Sequence, residues 1–200
     1  MKKLDKNEHK EALWLILKAH GVTEEQYEYI FKFVECKMVK RGYMFSEEGF
    51  TCKHIGILLQ GDLYAHGSNA LGEKRNTRFF HFPVNIIVTS YDSFDTATAS
   101  IESITALSDS IIYVLTLRDL NTILEHFPAL LLLQSSILKA GYNDSVSALK
   151  DIKELNDSEW LKKLEKEYPY LLLHPFRNLI LGHSTIKKTS YHDIRNALGI

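Results

Sequence analysis

From Phe79 to Leu117 the chain has no lysine and no arginine, although over its full length 24 basic residues nearly balance 25 acidic ones. Cations return near the end, where Arg177, Lys187, Lys188 and Arg195 outnumber Asp193. With a net charge of −1 the molecule exerts no bulk pull on nucleic acid or membrane, so any such contact needs local asymmetry. Cysteine is scarce. Cys36 and Cys52 are too few for a disulfide scaffold or a four-thiolate iron–sulfur site, and no C-x-x-C motif is present. Long apolar runs are missing as well. The N-terminal segment is broken by Lys10, Glu11 and Lys18, and Ala129 to Leu133 is far too short to span a bilayer. No leader and no membrane contact are expected, and the expected location is cytoplasmic. The nine histidines never form a His-x-His pair, and G-x-S-x-G, H-E-x-x-H and a phosphate-binding glycine loop are all absent. The expectation is therefore no enzyme, no metal site and no cofactor.

What is present divides into three parts. Glu8 to His20 has helical spacing, with Leu13, Ile16, Leu17 and His20 on one face and Gly21 as the stop. Thr23 to Gln26 is a capping box that opens a second helix with a Tyr27, Ile30, Phe31 and Val34 stripe. From Glu35 the period becomes two: Cys36, Met38 and Lys40 alternate with polar neighbours, and Gly42 and Gly49 mark turns. Strands follow at Ile55 to Leu59, from Leu63 after the Gln60–Gly61–Asp62 turn, and at Arg75 to His81. Ile101 to Leu107 and Ser110 to Leu115 are expected to pair across Ser108–Asp109. Seven or eight short strands at close spacing favour a sandwich or roll.

Thr116 caps a helix through His126, and Pro128 opens a long one running to about Lys153. Leu131, Leu138, Tyr142 and Leu149 keep near-heptad spacing along it, the pattern of a dimer helix, with Gly141 as an interruption. The alternative is a core helix lying on the roll. Asn156–Asp157–Ser158 breaks it and caps another helix, which Pro169 ends. A segment from His174–Pro175, a turn at Thr185 to Lys188 and a last helix after Thr189 or Ser190 spell a helix-turn-helix. The expected fold class is α+β. It divides into a roll over residues 1–128, a dimerisation helix over 129–155 and a helix-turn-helix over 156–200.

In this order of parts the chain resembles the Crp/Fnr superfamily of transcription regulators: helical lead-in, cyclic-nucleotide-binding-type antiparallel β-roll, long helix, helix-turn-helix. The resemblance rests on Gly49 with Ile57 to Leu63, on Ser103 to Ser110, on Leu117–Arg118–Asp119–Leu120, and on Glu167–Tyr168–Pro169 with His174–Pro175. It implies a homodimer on near-palindromic double-stranded DNA. Lys187 and Lys188 would meet phosphates, and Ser190, Tyr191, His192 and Arg195 would face the groove.

Two departures qualify what the resemblance implies. Members that bind cyclic AMP hold it with a Gly-Glu pair and a following arginine, and the stretch from Phe82 to Ser100 has neither. Asp92 and Asp95 would repel a phosphate, so a cyclic-nucleotide response is not expected. An effector of unknown identity would instead meet Phe80, Phe82 and Val84, with Ser93, Thr96 and Thr98 as neutral hydrogen-bonding groups. In the tail, Thr185 stands where the family turn has glycine, and Asp193 where a DNA-facing cation is usual. The competing expectation is thus a ligand-binding or protein-interaction module that keeps the fold and has lost DNA binding.

Overall fold

The computed structural model describes residues 2–68, 74–83, 85–154, 157–167 and 196. Residues 168–195, which hold the expected helix-turn-helix and every expected DNA-contacting side chain, lie outside that set.

The chain opens with a two-residue strand β1 (Lys2–Lys3), a 3₁₀ turn (Lys6–His9) and helices α1 (Lys10–Ala19) and α2 (Glu24–Phe33). The capping box forms as its spacing predicts. The Gln26 N–H donates to Thr23 Oγ1 at 3.3 Å, and the Thr23 N–H donates to Gln26 Oε1 at 3.0 Å. Strands β2 (Glu35–Val39), β3 (Met44–Ser46), β4 (His54–Gln60), β5 (Asp62–Ser68), β6 (Lys74–His81) and β7 (Ile87–Val88) follow. Then come a short helix α3 (Tyr91–Thr96) and strands β8 (Ser103–Ala106) and β9 (Ser110–Thr116). Helices α4 (Leu117–His126), α5 (Leu130–Glu154) and α6 (Asp157–Glu167) close the described chain. At α4 the Asp119 N–H donates to Thr116 Oγ1 at 3.1 Å, so the expected cap is in place.

All strand pairs are antiparallel, in two sheets ordered β1-β2-β9-β4-β7 and β3-β8-β5-β6. The five-stranded sheet is covered on both faces. Ile112 and Val114 of β9 point between the sheets, where Leu58, Leu63, Phe80 and Ile104 join them. Tyr113, between those two, points outward under α1, α2 and α4, among Leu13, Phe31 and Ile123. Coverage of both faces explains why β4 and β9 read as continuous apolar runs rather than alternating ones. Burying each such large side chain contributes roughly 1.5–3 kcal/mol. Cys36 takes the outer core and Val39, three residues on, the inner, so β2 keeps the alternation expected of it, with an apolar residue on each face.

One expected pairing is corrected. β8 and β9 do not form a hairpin across Ser108–Asp109; the chain changes sheets there. β8 pairs with β3 and β5, and β9 pairs with β2 and β4. The reason is burial. β9 is apolar on both faces and belongs at the centre of the covered sheet, whereas β8 sends Ile104 and Ala106 inward and leaves Thr105 half-buried. Asp62 fixes the corner. Its carbonyl accepts from the Leu107 N–H at 2.8 Å, and its own N–H donates to Ser108 Oγ at 2.9 Å. Gly61 makes the tight β4–β5 turn with φ near +90°, and a Cβ there would lie 2.3 Å from Ser110 Oγ.

Candidate functional site

The residues expected to line a ligand pocket separate into two settings. Phe80 is fully buried in the core between the sheets, while Phe82, two residues on, is exposed. Val84 lies outside the described residues. Ser93, Thr96 and Thr98 do come together, in a network closing the end of α3. Ser93 Oγ accepts from the Cys52 N–H at 2.9 Å and donates to the Thr98 carbonyl at 2.6 Å. Thr96 Oγ1 donates to the Asp92 carbonyl at 2.8 Å and lies 2.7 Å from Thr98 Oγ1. Ser93 is buried, whereas Thr96 and Thr98 are exposed. Their hydroxyls bind this segment to itself and to the Cys52 backbone.

The residue that sequence reasoning missed is Arg78. It stands one position before the cation-free stretch, and its side chain is only 4% exposed. Nη2 donates to the Thr89 carbonyl at 2.9 Å and to Glu102 Oε1. The guanidinium lies over the rings of Phe80, at 5.1 Å, and Tyr91, at 4.6 Å. Nε and Nη1 are buried without an acceptor. The stretch without cations in sequence therefore folds around a cation supplied by β6. A signal was available. Arg78 shares a strand face with Phe80 by period two, and Glu102 is the only carboxylate between Ile101 and Leu107. An arginine beside Phe79 and Phe80, and one carboxylate within Ile101 to Leu107, suggest a buried pair, since neither charge is buried alone at low cost.

Around this pair the polar groups are matched. Ser100 Oγ donates to the Glu102 carbonyl at 2.6 Å, so Ser90 Oγ, 2.7 Å away, must donate to Ser100. The Tyr91 hydroxyl donates to the Ile87 carbonyl at 2.9 Å. Burial pushes the Tyr91 phenol above its ordinary value, with Arg78 pulling the other way and Asp144 of α5 adding to the rise. Neither cysteine is placed as a nucleophile. Both are buried, and burial first, then Glu8 and Asp5, push the Cys36 thiol up to about 11.

Helix α5 is joined to the roll at Tyr91. A Cβ on Gly141 would fall 2.0 Å from the Tyr91 ring, so only glycine lets the helix lie this close. The Gly141 interruption is thus the contact point of helix and roll. On α5, Leu130 is buried and Leu133, Ile137 and Leu138 are half-buried, while Leu131, Tyr142 and Val146 are 48%, 53% and 46% exposed. The side chain of Leu149 lies outside the described residues. At 3.6 residues per turn Leu131, Leu138, Tyr142 and Val146 fall in one stripe beside the roll-facing one. No described helix is long and apolar enough to cross a membrane.

Two antiparallel sheets wrapped by lead-in helices, followed by one long helix, define the cyclic-nucleotide-binding type of β-roll. Solved structures of that type match the chain. One is a protein from Eubacterium rectale assigned to the Crp/Fnr family of transcriptional regulators, with a TM-score of 0.67 at 13% identity over 90% of this chain and 85% of that one. Another is CLP of Xanthomonas campestris, described as a c-di-GMP-responsive global regulator, with a TM-score of 0.66 at 7% identity over 88% and 92%. The sensor domain of the regulator DNR from Pseudomonas aeruginosa matches with a TM-score of 0.54 at 12% identity over 74% and 97%. The chain has the Crp/Fnr-type β-roll fold, as its sequence resemblance implied. No family model matches it, and no curated protein matches it in sequence.

Proposed function

We propose that the chain is a homodimeric, Crp/Fnr-like DNA-binding transcription regulator whose roll does not respond to cyclic nucleotides. The observation that carries the reading is the 25-residue helix α5, fixed to the roll at Gly141 and presenting an apolar stripe on another side. That stripe suits a second copy of the helix, and a two-fold pair would set two basic tails side by side. The tail residues Lys187, Lys188, Ser190, Tyr191, His192 and Arg195 supply phosphate contacts and groove-facing groups. Doubling the cations matters because affinity grows with the number of phosphates neutralised. Insensitivity to cyclic nucleotides is supported by Arg78, whose charge is met by Glu102 within the same fold. A bound phosphate would have to displace that carboxylate.

The test is fluorescence anisotropy with labelled duplex at low salt. Binding is expected, and replacing Lys187, Lys188 and Arg195 with alanine is expected to weaken it more than tenfold. Absence of binding, or indifference to the triple replacement, would instead support an interaction module that keeps the fold. Calorimetry with cyclic AMP and cyclic GMP should give no heat of binding.

A further inference from the structure

On the outer side of the five-stranded sheet, away from the Arg78–Glu102 pair, lies a cavity of about 120 Å³. Its walls come from seven elements, α1, α2, β4, β7, β9, α4 and α5, and include Leu17, Ile57, Leu115, Ile123, Leu133 and Ile137. Of its eighteen lining residues sixteen are leucine, isoleucine or valine, the others being Tyr113 and Gln134. The Tyr113 hydroxyl is already committed, donating to the Lys6 carbonyl. Gln134, half-buried on α5, is the single polar side chain left on the wall.

Size and polarity together define what fits. A water needs two to four polar partners, and these walls do not supply them. Apolar cavities of this order, near 150 Å³, stay dry and admit benzene. A peptide or helix is far too large. Leu133 and Ile137 lie well over a quarter-turn around α5 from the exposed Leu131, Tyr142 and Val146, while Leu138, at the edge of that stripe, also lines the cavity.

We propose that this cavity binds a small, uncharged, apolar molecule of about six to eight non-hydrogen atoms, with Gln134 as its one hydrogen-bonding contact. The site lies outside the space between the sheets, and the proposal stands whether or not the tail binds DNA. Because α5 forms one wall, an occupant touches the element that leads to the tail.

Benzene serves as the probe on the full chain, with isoleucine, leucine and valine methyls isotopically labelled for NMR. Saturable shifts confined to methyls such as those of Leu17, Ile57, Ile123 and Leu133 are expected, together with a rise in Tm of several degrees. Benzoate, of similar shape but charged, should produce neither. Leu133→Trp, which fills the space, should abolish the benzene shifts and remove the ligand-induced rise in Tm. Should that variant fail to fold, Ile57→Phe fills the cavity from the sheet side and bears the same expectation. Shifts that do not saturate, shifts spread evenly over both cores, an equal response to benzoate, or unchanged benzene binding in a folded filled variant would each overturn the proposal.

Discussion

Arg78 and Glu102 stabilise the roll only as a pair. Each is nearly inaccessible, and the guanidinium leaves two N–H-bearing nitrogens without acceptors, so its desolvation is compensated only in part. Removing one partner strands the other charge, at a cost of about 3–5 kcal/mol, whereas replacing both with apolar side chains of similar volume is often neutral or stabilising. Arg78→Met alone and Glu102→Leu alone should therefore each lower unfolding free energy by about 3–5 kcal/mol. The double variant should lie close to the parent. Urea unfolding of the four proteins checks this, and two additive losses would show that the charges are not coupled. If the double variant remains folded, it also removes the carboxylate that confronts any incoming phosphate.

For the elements, the sharpest test is at Gly141. In an isolated helix, glycine to alanine gains about 1 kcal/mol. Here the new methyl would occupy space held by the Tyr91 ring, and overpacking of that kind costs about 1–3 kcal/mol. Gly141→Ala should thus destabilise the protein despite its helix propensity, and in a Tyr91→Ala background the same change should stabilise it. Thermal unfolding of the cycle reads the sign directly. Local features were legible because their physics is local. The Thr23 and Thr116 caps, the stop at Gly21 and the turn at Gly61 each depend on neighbours within a few residues. Sheet membership was not legible in the same way. Ser108–Asp109 has the length of a hairpin turn, and only the coverage of both faces of β9 determines that it is a corner. Arg78 escapes a charge pattern taken along the chain for a related reason: the strands carry a cation from β6 across to Glu102. The same limit applies to the expected ligand residues, because hydroxyls at Ser93, Thr96 and Thr98 look alike in sequence whether they face a ligand or close a helix end.

For the whole molecule, assembly is the property to measure. Leu131, Tyr142 and Val146 are large side chains left in solvent along a helix whose Gly141 side lies against the roll. Tyr142→Asp together with Leu131→Asp should halve the mass found by light scattering, leaving the circular dichroism of the roll unchanged. The same variant should bind duplex with a weaker salt dependence, because each protein then neutralises fewer phosphates. A parent protein that already runs as a monomer would separate the stripe from self-association.

The corner at Ser108–Asp109 also governs how the protein emerges from a ribosome. β9 is the strand that β2 and β4 share, so the five-stranded sheet lacks its middle until Thr116 has been synthesised. Until then a nascent chain of over one hundred residues carries β2 and β4 without the strand that joins them. That interval, rather than the finished molecule, is when its strand edges are most open to the wrong neighbour.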